Sequence, residues 1–329
     1  MRVVHIGQKS FVMGERGGGV EKHVAELASR LVRLGNDVTV YARPRYTVEH
    51  PRYKDGVRIR YIPTLNTKHL EAIVHVFLST VDALFRRVDV FHYQGVGPAL
   101  LCWIPRLVCP RATVIVTFHA QDRYHQKWGW IARRILHFGE WMSCNIPHAT
   151  ITVSHVLQVL CRDVYHVETI FIPNGAVTEQ VTSTAHIFRE GLKKQGYVLY
   201  VGRLMPVKGV HHLLRAFRGV ETDKALVIIG APSTGEEKYL EFLTRLAQGD
   251  SRIRMLGFRA PQEITEFYAH SYLYCQPSES EGMPLAVIEA MGQGVAVLAS
   301  DIPGNLEAIH YAGFTFENKN EDDLRVQLQ

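Results

Sequence analysis

Short apolar runs of strand length alternate with amphipathic segments of helix length along almost the whole chain, and this alternation limits the fold more than any other feature. The first cycle is typical. Residues 3–6 form an apolar run, Gly17, Gly18 and Gly19 follow, and Val20, Val24, Leu27, Leu31 and Leu34 then recur at helical spacing. That face is expected to pack, with Gly35 ending the helix and residues 37–42 forming the next strand. Strand, glycine loop, helix and strand make a βαβ unit with a right-handed crossover. Further strands are expected at 57–62, 88–93, 113–118, 149–153 and 168–172, and helices at 70–87, 99–108, 124–142 and 154–164. Residues 113–118 are continuously apolar, as in a strand covered on both faces. Residues 177–196 lose the periodicity, after which strands are expected at 197–201, 225–229, 253–256, 272–275 and 295–299, with helices between them. The chain is therefore expected to be α/β, with two doubly wound Rossmann-like domains at 1–180 and 181–329.

Composition narrows the class. Five cysteines, Cys102, Cys109, Cys144, Cys161 and Cys275, form no C-x-x-C pair, so buried free thiols in a reducing compartment are expected. The start of the chain reads as a strand and not as a signal peptide, and the most apolar helix, 72–84, contains Asp82 and is short for a bilayer span. A cytoplasmic protein is the expectation. Residues 1–180 carry 22 Lys and Arg against 14 Asp and Glu, a net +8, whereas residues 181–329 carry 15 against 18, a net −3. The basic first half suits an anionic acceptor or a peripheral contact with an anionic membrane surface; the plainer reading is a solvated surface. No nucleic-acid partner is expected. In residues 124–142, rich in Trp and basic residues, Trp128, Ile131, Ile135 and Phe138 are expected to form a core stripe, with Arg133 and Arg134 in solvent. A membrane-facing role is the other reading of that segment.

The residues that suggest chemistry stand where strands end. Glu281 and Glu289 are eight positions apart, the first on a loop after an apolar run and the second inside the following helix, expected from about residue 283. A helix N-terminus favours phosphate oxygens, and carboxylates accept hydrogen bonds from sugar hydroxyls, so this stretch suits a phosphorylated, hydroxyl-rich ligand. Arg203 and Lys208 occupy a glycine-flanked loop between a strand and a helix, a setting for a pyrophosphate. His119 and Asp122 follow strand 113–118. The Gly17–Gly19 run does not match G-x-G-x-x-G, and the next strand ends in Arg43 with no acidic residue for a ribose diol. It serves either close approach to a ligand or a plain turn, with an NADP reading surviving through Arg43. No Asp-x-Asp is seen and the 17 histidines are scattered, so no metal site is expected.

Taken together, Gly17-Gly-Gly-Val-Glu21, Thr117-Phe-His119, Ile172-Pro-Asn-Gly175, Val201-Gly-Arg-Leu-Met-Pro-Val-Lys-Gly209 and Glu281-Gly-Met-Pro-Leu-Ala-Val-Ile-Glu-Ala-Met291 resemble the retaining, GT-B-fold glycosyltransferases of the family 4 type over essentially the whole chain. The first half looks most like bacterial enzymes that assemble surface polysaccharides. The resemblance implies two domains facing across a cleft and a nucleotide-sugar donor, UDP-, GDP- or dTDP-linked, with a glycan or lipid-linked acceptor. It implies that Arg203 and Lys208 neutralise the diphosphate, that Glu289 accepts from the ribose, and that Glu281 contacts the donor sugar. The amides near Pro284 and Leu285 would face the phosphates, Gly257 and Phe258 would lie near the base, Gly18 and Gly19 would approach the donor, and His119 would stand near the anomeric carbon. The catalytic set is then His119, Glu281, Arg203 and Lys208, with no obligatory cofactor and work at the inner face of the membrane. Family members usually carry further C-terminal helices, and residues 317–329 end in what looks like the start of one, so those helices are expected to be missing. A sugar-nucleotide epimerase and a non-catalytic nucleotide-sugar-binding protein are the alternatives.

Overall fold

The computed structural model describes residues 1–11, 17–65, 67, 70–124, 128–178, 180–233 and 235–329. It divides into two compact units, Met1–Asn174 and Gly175–Gln329.

The first unit is built on an eight-stranded sheet. Its strands are β1 Arg2–Ile6, β2 Asp37–Ala42, β3 Tyr53–Lys54, β4 Val57–Tyr61, β5 Val90–Gln94, β6 Thr113–Phe118, β7 Ala149–Thr152 and β8 Ile170–Phe171. The order is β3-β4-β2-β1-β5-β6-β7-β8, parallel except for the β3–β4 edge hairpin, which the sequence reading did not contain. The helices are α1 Gly19–Arg33, α2 Glu71–Leu84, α3 Val96–Ala99, α4 Trp103–Val108, α5 Trp130–Asn145 and α6 His155–Tyr165. Period-two alternation sends Val4, Ile6, Phe91, Tyr93, Val114 and Val116 to a core with Val76 and Ala83 of α2. Val3, Val38 and Val40 go to the opposite core with Val24 and Ala28 of α1. Leu34 does not join that face: it caps α1 and is exposed.

The second unit carries a six-stranded parallel sheet of order β11-β10-β9-β12-β13-β14. Its strands are β9 Tyr197–Val201, β10 Ala225–Ile229, β11 Ile253–Gly257, β12 Leu273–Gln276, β13 Ala296–Ser300 and β14 Phe314–Phe316. The helices are α7 Ala185–Arg189, α8 Val210–Arg218, α9 Glu237–Ala247, α10 Pro261–His270, α11 Leu285–Gly292, α12 Pro303–Ile309 and α13 Glu321–Leu328. Helix α7 lies in the stretch that showed no periodicity, because one buried apolar residue, Ile187, is enough to anchor its five residues. Val198, Tyr200, Leu226 and Ile228 pack on one face against α8, α9 and α13; Leu199, Val227 and Ile229 pack on the other with Phe267 and Val287. Both faces are covered, as continuously apolar strands require.

Helix α5 corrects one expectation. It starts at Trp130, six residues after the expected Tyr124, and His125–Lys127 lie outside the described residues. Its buried side is Leu136, Gly139, Glu140, Met142, Ser143 and Cys144. Ile131, Ile135 and Phe138 are 58%, 50% and 54% exposed, so they are not a core stripe. The reason is local. A Cβ at Gly139 would meet the Val96 carbonyl oxygen of α3 at 2.5 Å, so the backbones pack closely there. Glu140 accepts a 2.6 Å hydrogen bond from the Tyr165 hydroxyl and pairs with Arg123. These contacts turn the small and polar side inward. Among the described residues no helix is long and apolar enough to cross a membrane.

Candidate active site

In each sheet the chain reverses its direction of winding at one pair of strands, and an open parallel sheet offers a crevice for a ligand at that point, beyond the carboxyl ends. In the second unit the pair is β9 and β12. The loop after β9 carries Arg203 and Lys208; the loop after β12 carries Glu281. Residues distant in the chain therefore meet.

Lys208 donates to Glu281 Oε1 at 2.6 Å, and the same oxygen accepts from Ser278 Oγ at 2.7 Å and Gln276 Nε2 at 2.9 Å. Both charged side chains are largely buried. Burial alone would raise the Glu281 carboxyl, but Lys208, Ser278 and Arg203 outweigh it and hold the group below its ordinary value. Glu281 is thus a charged group held by three hydrogen bonds, suited to accepting from a ligand hydroxyl.

The backbone around this pair is closely set. Gly209 has φ +65°, and a Cβ there would lie 1.8 Å from the Pro277 carbonyl oxygen, so only glycine brings the start of α8 against the β12 loop. The Glu279 amide donates to the Val207 carbonyl at 2.8 Å and ties the two loops together. Gly304 of α12 also lies close to the Glu281 backbone, where a Cβ would meet that carbonyl oxygen at 2.4 Å. Asn305 Nδ2 donates to Ser300 Oγ at 2.8 Å, and Ser300 Oγ donates to the Ser278 carbonyl.

Pro284 is the N-cap of α11 and Leu285 its first residue, so the helix begins one or two residues later than expected. Glu289 stands on α11; burial first and then the Glu289 charge push the Tyr268 phenol well above its ordinary value. Gly257 ends β11 at φ +70°, with partly exposed Phe258 next to it, while Arg259 is engaged by Glu190 at 2.6 Å.

In the first unit the winding reverses between β1 and β5. Gly18 is the N-cap of α1, in extended conformation, and Gly19 is its first residue. His119, after β6, is joined to a network that the sequence reading missed. Its Nε2 pairs with Gln94 Oε1 at 2.9 Å, and Gln94 Nε2 pairs with His5 Nδ1 at 3.1 Å. A glutamine amide donates through nitrogen and accepts through oxygen, so this arrangement puts the His119 proton on Nε2 and leaves Nδ1 as an acceptor. The His23 ring stands edge-on to His119 at 4.8 Å, and His23 Nδ1 pairs with Asn174 Oδ1 at 3.0 Å. Burial first and then His23 lower His119 to about 3, against a pull from Asp122 in the other direction. His119 is therefore a neutral imidazole. The visible signal was the polar end of the β5 run, His92-Tyr-Gln-Gly95, directly after apolar residues.

Arg43 does not offer a free cation for a 2′-phosphate. It is buried, with Nη1 3.9 Å from Glu71 Oε1 and Nη2 donating to the Gly7 carbonyl at 3.4 Å.

Comparison with known proteins agrees with this architecture. The glycosyltransferase family 4 model matches residues 17–180, and the glycosyl transferases group 1 model matches residues 183–329. Spore coat protein SA of Bacillus subtilis (strain 168) is 24% identical over 346 residues, covering 97% of this chain and 87% of that protein. Sucrose-phosphate synthase from Thermosynechococcus elongatus superposes with a TM-score of 0.84 at 18% identity, covering 100% of this chain and 88% of that one. Anabaena HepE, solved in complex with UDP-glucose, superposes with a TM-score of 0.79 at 18% identity, covering 100% and 88%. At such identities the structural neighbours speak for the fold, which is that of GT-B glycosyltransferases. The matched halves, the order of the motifs and the two doubly wound sheets agree: the chain belongs to the glycosyltransferases of the family 4 type.

Proposed function

We propose that this protein transfers a hexose from a nucleoside-diphosphate sugar to a glycan or lipid-linked acceptor, with retention of anomeric configuration. The observation that carries the reading is the Lys208–Glu281 pair at the winding reversal of the second sheet, with Arg203 beside it. Cleavage of an anomeric C–O bond releases a diphosphate, whose growing negative charge has to be stabilised. Arg203 and Lys208 supply fixed cations for that charge, and preorganised charge of this kind is a large term in catalysis. Glu281 is engaged by three donors, which suits holding a sugar hydroxyl better than taking a proton. In this reading Glu289 accepts from the ribose, the amides near Pro284 and Leu285 face the phosphates, Gly257 and Phe258 lie near the base, and Gly18 and Gly19 approach the donor. His119 is assigned to the donor sugar.

The support for an anionic membrane surface as a partner is helix α5, which exposes Trp130, Ile131, Ile135, Phe138 and Trp141 with Arg133 and Arg134 between them. Aromatic and aliphatic side chains interleaved with arginine suit the headgroup boundary of a bilayer, where a lipid-linked acceptor is presented.

The test of the transfer reading is substitution with a fold control. Lys208→Ala is expected to lower turnover by about 10²-fold or more, measured at a temperature below the variant's own melting transition, where circular dichroism is native. Transfer at the wild-type rate would overturn the reading. A thermal-shift screen with UDP, GDP, ADP and dTDP sugars identifies the donor, since a ligand that binds the folded state raises its apparent stability. Proton NMR of the product's anomeric centre decides retention.

A further inference from the structure

Tertiary folding brings two adjacent histidines together with a carboxylate that lies far from them in the chain, three side chains of metal-ligand type. His211 and His212 open α8, and Glu279 sits on the loop after β12. One ligand atom from each lies within 4.8 Å of the others, and all three residues are partly buried.

The surroundings orient the two imidazoles. His212 Nδ1–H donates to Glu321 Oε1 of α13 at 2.8 Å, which leaves the Nε2 lone pair pointing at Glu279, with Oε1 3.7 Å away. Arg215 holds Glu321 Oε1 at 2.9 Å. His211 Nδ1 pairs with the Tyr239 hydroxyl at 2.8 Å, a group that accepts as well as it donates. Lys319 occupies the other oxygen, Oε2, of Glu279 at 2.8 Å, so Oε1 is the one turned towards His212.

Two features distinguish this cluster from an incidental one. A carboxylate stands at each nitrogen of His212, Glu321 on Nδ1 and Glu279 before Nε2, with Arg215 and Lys319 as their other partners. The separation is the second. Two ligands each about 2.0–2.1 Å from a shared tetrahedral ion stand roughly 3.4 Å apart; Nε2 and Oε1 are 3.7 Å apart, and the three ligand atoms, within 4.8 Å of one another, have to draw in further on binding. A carboxylate or hydroxyl on the far nitrogen of each histidine is the usual support of metal-bound imidazole.

We propose that His211, His212 and Glu279 form a binding site for one divalent transition-metal ion of the zinc class, which clamps α8 to the loop after β12. Imidazole with carboxylate suits zinc, copper or nickel better than magnesium or calcium. The proposal does not depend on the donor reading above, and metal binding and stability report on it without any measurement of transfer.

The experiment is zinc titration of the chelator-treated full chain, by calorimetry and by competition with a chromophoric chelator. One equivalent is expected to bind and to raise Tm. His212→Ala and Glu279→Gln are each expected to weaken that equivalent by about 10-fold or more, and Glu321→Gln by about 10-fold through loss of the support on Nδ1. His310→Ala, an exposed histidine of the same unit, is expected to leave it unchanged. Melting in chelator shows whether each variant is folded, and the nearly isosteric Glu279→Gln covers the case in which His212→Ala is not. Absence of a stoichiometric equivalent in the wild type, or wild-type affinity in both His212→Ala and Glu279→Gln, would overturn the proposal.

Discussion

Individual residues at the candidate site are over-determined in ways that make their substitutions informative. Gly209 combines a left-handed backbone with a carbonyl oxygen in the space a Cβ would need. Gly209→Ala is expected to cost about 1–3 kcal/mol from backbone strain, and more if the Pro277 loop has to move; denaturant midpoints measure it. Gln94 tests another point. Gln94→Leu keeps the bulk but leaves His119 Nε2 and His5 Nδ1 without partners. It is expected to lower kcat more than KM and to move the pH profile, whereas Gln94→Glu, which still accepts from Nε2, recovers part of the rate. A uniform loss that follows stability alone would reduce Gln94 to a packing residue. The Lys208–Glu281 pair is buried, so removing one partner is expected to destabilise the second unit by about 3–5 kcal/mol, more than the lost contact would suggest.

At the scale of elements, α5 is the informative case, because its exposed face has the composition of a buried one. Three-residue and four-residue spacing correctly marks an apolar stripe from Ile131 to Phe138. Which stripe is buried depends on what the helix meets, and Gly139 against α3 and Glu140 against Tyr165 prevail over the larger apolar residues. Replacing Trp130 and Ile135 with serine is expected to leave Tm within a few degrees and to reduce co-sedimentation with anionic vesicles several-fold, an effect that salt enhances. Equal binding by wild type and variant would remove α5 as the membrane element. The same reasoning explains α8: its residues are legible as a helix, but its meeting with Glu279 and Glu321 belongs to the packing of three elements.

For the molecule as a whole, acid sensitivity is expected to be unequal between the units. His5, His75 and His119 lie near 3, and His92 well below its ordinary value of 6.5, all chiefly through burial in the first unit. Folded, these rings stay neutral; unfolded, they take up protons below 6.5, so stability falls with falling pH from there down. Each histidine contributes a slope of about 1.4 kcal/mol per pH unit. Glu281 acts later: its lowered carboxyl contributes stability that is complete above the ordinary 4.5 and is lost as pH falls through the depressed folded value. Two melting transitions should therefore separate on acidification, that of the first unit falling more steeply below pH 6.5 than that of the second, where burial lowers His211 to about 4 and Glu281 adds its loss only below 4.5. Calorimetry between those values tests this, and transitions that fall in parallel would contradict it. The α/β class, nearly every strand and the strand-end position of Arg203, Lys208, Glu281 and His119 were readable in one dimension, because apolar periodicity and turn residues are local properties of the chain. The edge hairpin β3–β4, the exposed side of α5, the Gln94 bridge to His119 and the meeting of His211 and His212 with Glu279 were not. Each depends on which distant backbone stands alongside, and a hydrogen bond or a close carbonyl has no counterpart in residue order.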